Sequence, residues 1–196
     1  MKIEIIDNKI LSEIHVDEEL WREFHKKLYR NYLSEIKRAS SKNELSALFF
    51  RLDVKVGRGL VYRWLALRGF MKAELRKKLT AYKIDSRAID AIFSECEKLG
   101  YLDDEREGML FIERHKRKGW GPNKIAQKLV VKAPELKEMV RSAISDKHQE
   151  EEIQKWIKKK TRSADLNDIK VKGRIYRFLI GKGFDDRLIR SHLFVD

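Results

Sequence analysis

Residues 118–129 read KGWGPNKIAQKL, and the order of residue types in this stretch occurs three times in the chain. Each copy has a basic residue, a glycine, an aromatic residue, a branched aliphatic residue five positions later and a leucine four positions after that. The copies lie at 68–79, 118–129 and 182–193. Because self-similarity at such intervals is typical of repeat proteins, the sequence predicts an all-α fold of tandem three-helix repeats.

The shared pattern describes a turn between two helices. Its glycine is expected to end one helix in the left-handed conformation, and the basic residue before it suits the negative end of the helix dipole. The next helix starts at once, with Asp185 as N-cap in the third copy and Gly121 before Pro122 in the second. In the first copy Met71 stands where a capping side chain is expected.

The aromatic and aliphatic residues of each copy have the spacing of a hydrophobic staple, as in Phe70 and Leu75. We therefore expect the aromatics to build the turns rather than to stack on bases. The structural residues predicted in these turns are Gly69, Phe70, Gly119, Trp120, Gly121, Pro122, Gly183 and Phe184.

A further turn, LGYLDDER at 99–106, is expected to end a helix at Gly100 and to start the next at the N-cap Asp103. The charged stretch 145–160 is expected to be a long solvated helix with Trp156 docked on one side. The predicted divisions are an N-terminal extension at 1–52 and repeats at 53–104, 105–160 and 161–196, the last of them truncated.

The first fifty residues have a different pattern. Alternating or β-branched residues at 2–6 and 10–16 predict a short β-hairpin. An amphipathic helix is predicted at 17–38, and another at 43–52.

The composition favours a binding protein with a polyanionic or acidic partner. Lysine and arginine number 44 against 31 acidic residues, which gives a net charge of +13 and a pI near 9.7. No P-loop or Gly-x-Gly-x-x-Gly sequence is present, the histidines are scattered, and Cys96 has no thiol partner. The acidic run 103–105 is explained by helix capping without a metal. We expect no enzymatic activity, no cofactor, no membrane segment and a cytoplasmic location.

Basic residues recur at similar places in the three repeats. The ordinary explanation is a set of solvated helix faces, but alignment along stacked repeats would produce an extended basic strip that binds phosphates without reading sequence. The residues predicted for this strip are Lys72, Arg76, Lys77, Arg114, Lys116, Arg117, Lys118, Lys124, Lys128, Arg174, Arg177, Lys182, Arg187 and Arg190.

The central stretches LGYLDDER at 99–106 and FIERHKRKGWGPNKIAQKL at 111–129 resemble the RecX family. RWLALRGFMKAELRKKL at 63–79 and RFLIGKGFDDRLIRSHL at 177–193 are similar to its first and third repeats. The family-matching residues that are expected to build the fold are Gly100, Tyr101, Leu102, Asp103, Gly119, Gly121 and Pro122. The chain departs from the family pattern at 131–135 and at 108–109, which leaves the details of the partner surface open.

The resemblance implies repeats in an elongated, curved arrangement that lies in the groove of the RecA filament on single-stranded DNA. It implies a modulator, expected to be an inhibitor, that bridges neighbouring RecA subunits and slows ATP hydrolysis, strand exchange and repressor cleavage in DNA repair, homologous recombination and the SOS response. We expect the protein to be a monomer. Two alternatives stay open: a sequence-nonspecific nucleic-acid-binding repeat protein independent of RecA, and a scaffold for another acidic protein.

Overall fold

The computed structural model describes residues 1–161, 166 and 168–194 of the chain. The chain divides into two compact units, unit 1 at Met1–Asp103 and unit 2 at Asp104–Asp196. Both are built mainly of helices, as the sequence predicts, and unit 1 also contains a small sheet.

Unit 1 begins with three antiparallel strands, β1 (Ile3–Asp7), β2 (Leu11–Val16) and β3 (Glu19–His25), paired in that order. The predicted hairpin of β1 and β2 is confirmed, with Ile5 opposite Ile14. Alternate residues of β2 are buried, so one face of the sheet packs on the core of unit 1.

The helix predicted at 17–38 is wrong over its first half, where β3 lies instead. Asp17 and Glu18 have φ angles of 53° and 72°, which suit a two-residue turn between twisted strands. This turn returns the chain along β2, and Phe24 packs against Phe49 in the core. Turn geometry therefore prevailed over the helical spacing of the apolar residues.

The rest of unit 1 is helical. Its helices are α1 (Lys26–Tyr29), α2 (Leu33–Lys37), α3 (Lys42–Leu65), α4 (Lys72–Ala81) and α5 (Ser86–Lys98), with a 3-10 turn at Arg30–Tyr32. Ser41 caps α3 by accepting a hydrogen bond from the Glu44 N–H. The apolar side of α3 continues from Leu45 through Leu60, so the predicted boundary between 52 and 53 falls inside one helix.

A buried carboxylate connects the sheet to the helices of unit 1. Asp53, on α3, has no exposed surface and accepts hydrogen bonds from Arg22 on β3, from the Tyr29 hydroxyl and from the Asp85 N–H before α5. Arg22 also donates to the Lys83 carbonyl oxygen. Burial, followed by the charge of Asp53, raises the pKa of Tyr29, so the phenol remains a neutral donor.

Unit 2 is helical throughout its described residues. Its helices are α6 (Asp104–Lys116), α7 (Pro122–Val130), α8 (Lys137–Ala143), α9 (Asp146–Lys160), α10 (Ile169–Lys182) and α11 (Asp186–Leu193), with a 3-10 turn at Pro134–Leu136. Ile153 and Ile157 of α9 share one core with Leu179 of α10 and Ile189 of α11. The predicted boundary between 160 and 161 therefore separates α9 from the helices on which its apolar side is buried.

The repeated turn has the predicted form in two of its three copies. Gly119 and Gly183 have φ angles of 65° and 86°, and Asp185 accepts a hydrogen bond from the Arg187 N–H. The prediction of a left-handed Gly69 is wrong, because α3 ends at Leu65 and the chain reaches α4 through a longer connection. Met71 caps α4 without a side-chain hydrogen bond, as its residue type implies.

The apolar members of the turns are packed as staples require. Phe70, Phe184 and Leu102 are buried, and Trp120 is half-buried. Gly100 ends α5 with a φ of 70°, and α6 begins directly after Asp103. Tyr101 is an exception, because 53% of its surface is exposed.

Candidate functional site

The predicted basic residues of α4 are largely neutralised. Lys72 lies 2.6 Å from a Glu97 oxygen, and Arg76 lies 2.5 Å from an Asp90 oxygen. Lys77 is exposed and has no ion-pair partner among the described residues. Unit 1 therefore presents less unpaired positive charge on α4 than the sequence suggests.

The end of α6 keeps three unpaired cations. Lys116 is half-buried and pairs with Glu113 at 2.7 Å, whereas Arg114, Arg117 and Lys118 are exposed and have no carboxylate partner in the described part of the chain. Three exposed charges without a carboxylate partner in the described chain thus lie in the last turn of α6 and directly after it.

The predicted basic residues of the third repeat also include both paired and unpaired arginines. Arg187 pairs with Asp146 at 2.7 Å, and Arg190 pairs with Asp186 at 2.9 Å. Arg174 and Arg177 are exposed, without an ion-pair partner among the residues described. Lys128 of α7 is likewise exposed and unpaired in the described structure.

Four lysines of unit 2 form what we call the lysine cluster: Lys124, Lys159, Lys160 and Lys182. Their ammonium groups lie over aromatic rings, with Lys182 Nζ 4.5 Å from the Trp156 ring centroid and Lys160 Nζ 4.5 Å from that of Phe178. Lys159 also lies over Trp156, and Lys124 lies over Trp120. Half-buried aromatics therefore hold these cations in place.

The lysine cluster has no acidic partner in the described structure. None of its four ammonium groups pairs with a carboxylate among the described residues. Burial lowers the pKa of Lys182, and the charges of Lys124, Lys159 and Lys160 lower it further. The cluster is thus a local accumulation of positive charge that no carboxylate of the described residues compensates.

A close contact between backbones positions the lysine cluster. The Gly121 N–H donates to the Lys182 carbonyl oxygen at 2.8 Å, and the Asn123 N–H donates to that of Gly183 at 3.0 Å. A Cβ atom on Gly121 would lie 2.3 Å from the Gly183 backbone, and one on Gly183 would lie 2.3 Å from Lys124 N. Only glycine fits at either position, and we call this contact the glycine joint.

Helix α9 is held to the same region. The Trp156 indole N–H donates to the Gly119 carbonyl oxygen at 3.3 Å, and Lys124 Nζ donates to the Gly181 carbonyl oxygen at 3.1 Å. Lys124 and Lys182 were predicted as site residues, but Lys159 and Lys160 were missed because 145–160 was interpreted as a solvated helix. The available signal was Trp156, which marks the side of α9 that packs.

The described residues do not form a metal-binding group. No group of three or more His, Cys, Asp or Glu residues could hold a metal ion among them. Cys96 is buried, which raises the pKa of its thiol and disfavours the reactive thiolate. None of the helices in the described ranges has the length and apolarity needed to cross a bilayer.

Comparison with known proteins identifies the family. The chain is 31% identical over 137 residues to "Regulatory protein RecX" of Acinetobacter baylyi, an alignment that covers 67% of this chain and 82% of that one. The chain belongs to the RecX family. "Regulatory protein RecX" of Serratia proteamaculans is 26% identical over 153 residues, covering 66% of this chain and 90% of its own length. The chain is thus a regulatory protein of the RecX type.

Two solved RecX structures share the fold. A structure titled "Crystal structure of regulatory protein RecX" superposes with a TM-score of 0.65 at 15% identity, covering 98% of this chain and 96% of its own. RecX from Lactobacillus salivarius gives 0.64 at 19% identity and 71% and 93% coverage. The model of the third three-helix domain of RecX matches residues 148–193, which assigns α9 to the third repeat together with α10 and α11.

Proposed function

We propose that this RecX-family protein is a non-enzymatic modulator, specifically an inhibitor, of RecA. It binds as a monomer in the groove of the cytoplasmic RecA–single-stranded DNA filament and restrains ATP hydrolysis, strand exchange and repressor cleavage. Membership of the RecX family carries the proposal. The unpaired basic residues support it, because a filament on DNA offers backbone phosphates that such residues bind without reading sequence.

Inhibition follows from binding one state of the filament. A ligand shifts a conformational equilibrium only by its differential affinity for the two states. A protein that contacts neighbouring RecA subunits at once favours the subunit arrangement that it bridges. The cycle of ATP hydrolysis is then slowed without any chemistry by the bound protein.

The direct test adds the purified protein to RecA, ATP and single-stranded DNA. We expect the ATP hydrolysis rate and the yield of strand exchange to fall as the protein is titrated to saturation. Unchanged hydrolysis and strand exchange at saturating protein would contradict the proposal. Electron micrographs of filaments with and without the protein locate the bound molecules.

The basic end of α6 offers a variant with a matched control. Reversal of Arg114, Arg117 and Lys118 to Glu should weaken filament binding, whereas Lys116 is left intact because it pairs with Glu113.

The control replaces Lys9, Lys27 and Lys42 with Glu. These lysines are exposed and unpaired among the described residues, and their reversal changes the net charge by a similar amount. Equal filament affinity for the two variants would remove the α6 end from the site, and far-ultraviolet circular dichroism checks that both keep their helices.

The rival function is sequence-nonspecific nucleic-acid binding without RecA. The lysine cluster keeps this alternative open, because cations without a carboxylate partner among the described residues attract a phosphate backbone whether or not RecA is present. Salt-sensitive binding to naked nucleic acid that is no tighter when RecA is present would support the rival. A scaffold role would instead appear as one acidic partner recovered from a pull-down that lacks RecA.

A further inference from the structure

The lysine cluster brings together cations from three helices of unit 2. Lys124 comes from the first turns of α7, Lys159 and Lys160 from the end of α9, and Lys182 from the end of α10. The glycine joint fixes α7 against the end of α10 through two backbone hydrogen bonds. Backbone hydrogen bonds thus bring together the segments that carry Lys124 and Lys182, and the Trp156 side chain holds α9 beside them by its bond to the Gly119 carbonyl oxygen.

Like charges that lie close together repel one another, and a bound anion offsets this repulsion. Some cations elsewhere in the chain pair with a carboxylate, as Arg187 does with Asp146, whereas none of the four cluster lysines does so among the described residues. The rings of Trp156 and Phe178 partly offset the repulsion in the lysine cluster, but the positive charge remains. A site that stays positive and partly desolvated is suited to a ligand with several negative charges.

The chemistry of the cluster favours phosphate over carboxylate. All four cations are lysines, whose ammonium groups act as compact point charges toward phosphate, whereas bidentate recognition of carboxylates is typical of arginine. Every nucleotide of a nucleic acid strand carries one negative charge, so neighbouring phosphates can meet several ammonium groups at once. The aromatic faces are occupied by the lysines, which leaves the backbone rather than the bases as the contact.

We infer that the lysine cluster is a direct binding site for the phosphate backbone of single-stranded nucleic acid. This deepens the proposed function, on which it rests only for the presence of a DNA strand within the filament. Binding is independent of base sequence and does not require RecA. The third repeat and the start of α7 thus contact the strand, while the end of α6 is free to contact protein.

The test measures binding of the full chain to a fluorescently labelled oligothymidylate of about 20 nucleotides, longer than typical single-strand site sizes, in the absence of RecA. The variant replaces Lys159, Lys160 and Lys182 with Gln and keeps Lys124, whose ammonium group bonds Gly181 in the joint. We expect the slope of log affinity against log salt to fall by about 2, because each lost phosphate contact contributes about 0.7 for single strands. Affinity at low salt should fall at least about tenfold.

The matched control replaces three other lysines of unit 2 with Gln: Lys137, Lys147 and Lys170. These residues are exposed and lack an ion-pair partner in the described chain, and their replacement removes the same net charge as the cluster variant. Lys147 and Lys170 lie twelve residues before Lys159 and Lys182 on the same helices, about 18 Å along the axis and beyond the screening length of about 10 Å at 0.1 M salt. The control should therefore keep most of the affinity.

Equal losses in the cluster and control variants would overturn the inference, because net charge alone would then explain binding. Unchanged oligothymidylate binding together with lost binding of a polyglutamate peptide would also overturn it and assign the cluster to an acidic protein. A third variant with Arg at Lys159, Lys160 and Lys182 keeps the charge and should keep binding, which separates charge from folding. A RecA assay without inhibition would refute the proposed function and leave this result untouched.

Discussion

Asp53 has no exposed surface and accepts hydrogen bonds from three donors, which makes it a sensitive residue for stability. We expect Asp53→Ala to lower the free energy of unfolding by about 3–5 kcal/mol, because the Arg22 guanidinium and the Tyr29 hydroxyl lose their acceptor. Asp90→Ala removes the exposed partner of Arg76 and should cost less than about 1 kcal/mol. Urea unfolding measures the free energy of unfolding of both variants. Similar losses in the two would contradict the stabilising role of the buried Asp53 carboxylate.

His115 should make stability depend on pH. Burial between the rings of Phe111 and Trp120 lowers its pKa below the ordinary 6.5, with the charges of nearby basic residues acting in the same direction. Its Nδ1–H donates to the Phe111 carbonyl oxygen, which opposes the shift without reversing it. Because the folded state holds the neutral ring, this contribution is full above 6.5 and is lost as pH falls through the lowered folded pKa.

We therefore expect the unfolding free energy to decrease as the pH falls from about 6.5 through the lowered folded pKa, and His115→Gln to reduce that decrease. His148→Gln is the control, because His148 does not stack on a ring in the described structure. Denaturant titrations at several pH values provide the measurement. A pH dependence that is the same in both variants would show that other groups cause it.

At the scale of elements, the glycine joint predicts an unusual cost for a small side chain. Gly121→Ala should lower the free energy of unfolding by about 3 kcal/mol or more, because its Cβ would meet the Gly183 backbone at 2.3 Å and backbone cannot move aside cheaply. Gly59→Ala is the matched control in α3, where a Cβ has nothing within 4 Å. It should raise stability by about 0.5–1 kcal/mol. Thermal unfolding of both variants measures these changes in stability. A Gly121→Ala variant as stable as the unchanged protein would show that the close backbone contact at Gly121 is absent.

The elements divide into those that local sequence predicts and those that distant contacts decide. The turns at Gly119 and Gly183 were predictable, because caps, staples and left-handed glycines are adjacent in sequence. The third strand was not, since its turn at Asp17 and Glu18 lacks the usual glycine or asparagine. The placement of α9 depends on Trp156 and Gly119, which are 37 residues apart.

The candidate site was predictable in composition but not in geometry. The sequence identifies Lys124 and Lys182 as basic residues of the repeated turn, yet only folding brings Lys159 and Lys160 beside them. It also cannot tell which arginines are neutralised, because Arg187 meets Asp146 across 41 positions of the chain. The extended basic strip along all repeats stays a prediction.

At the scale of the whole molecule, each unit has its own buried core, and destabilisation should remain local. In hydrogen exchange, Asp53→Ala should speed exchange mainly in 1–103, and Gly121→Ala mainly in 104–196. Mass spectrometry of proteolytic fragments gives the exchange rate of each segment. Loss of protection throughout the chain in both variants would indicate a single cooperative unit instead.

The glycine joint also limits how this protein can be rebuilt from parts. Neither Gly121 nor Gly183 leaves room for a side chain where the two segments meet. A chimaera that takes α9–α11 from a relative must therefore have glycine at both positions, one in the retained part and one in the imported part. Segments that end between α8 and α9 are therefore poor exchange units, however well their helices match. An exchanged segment that carries both glycines moves the joint as a whole and avoids this constraint.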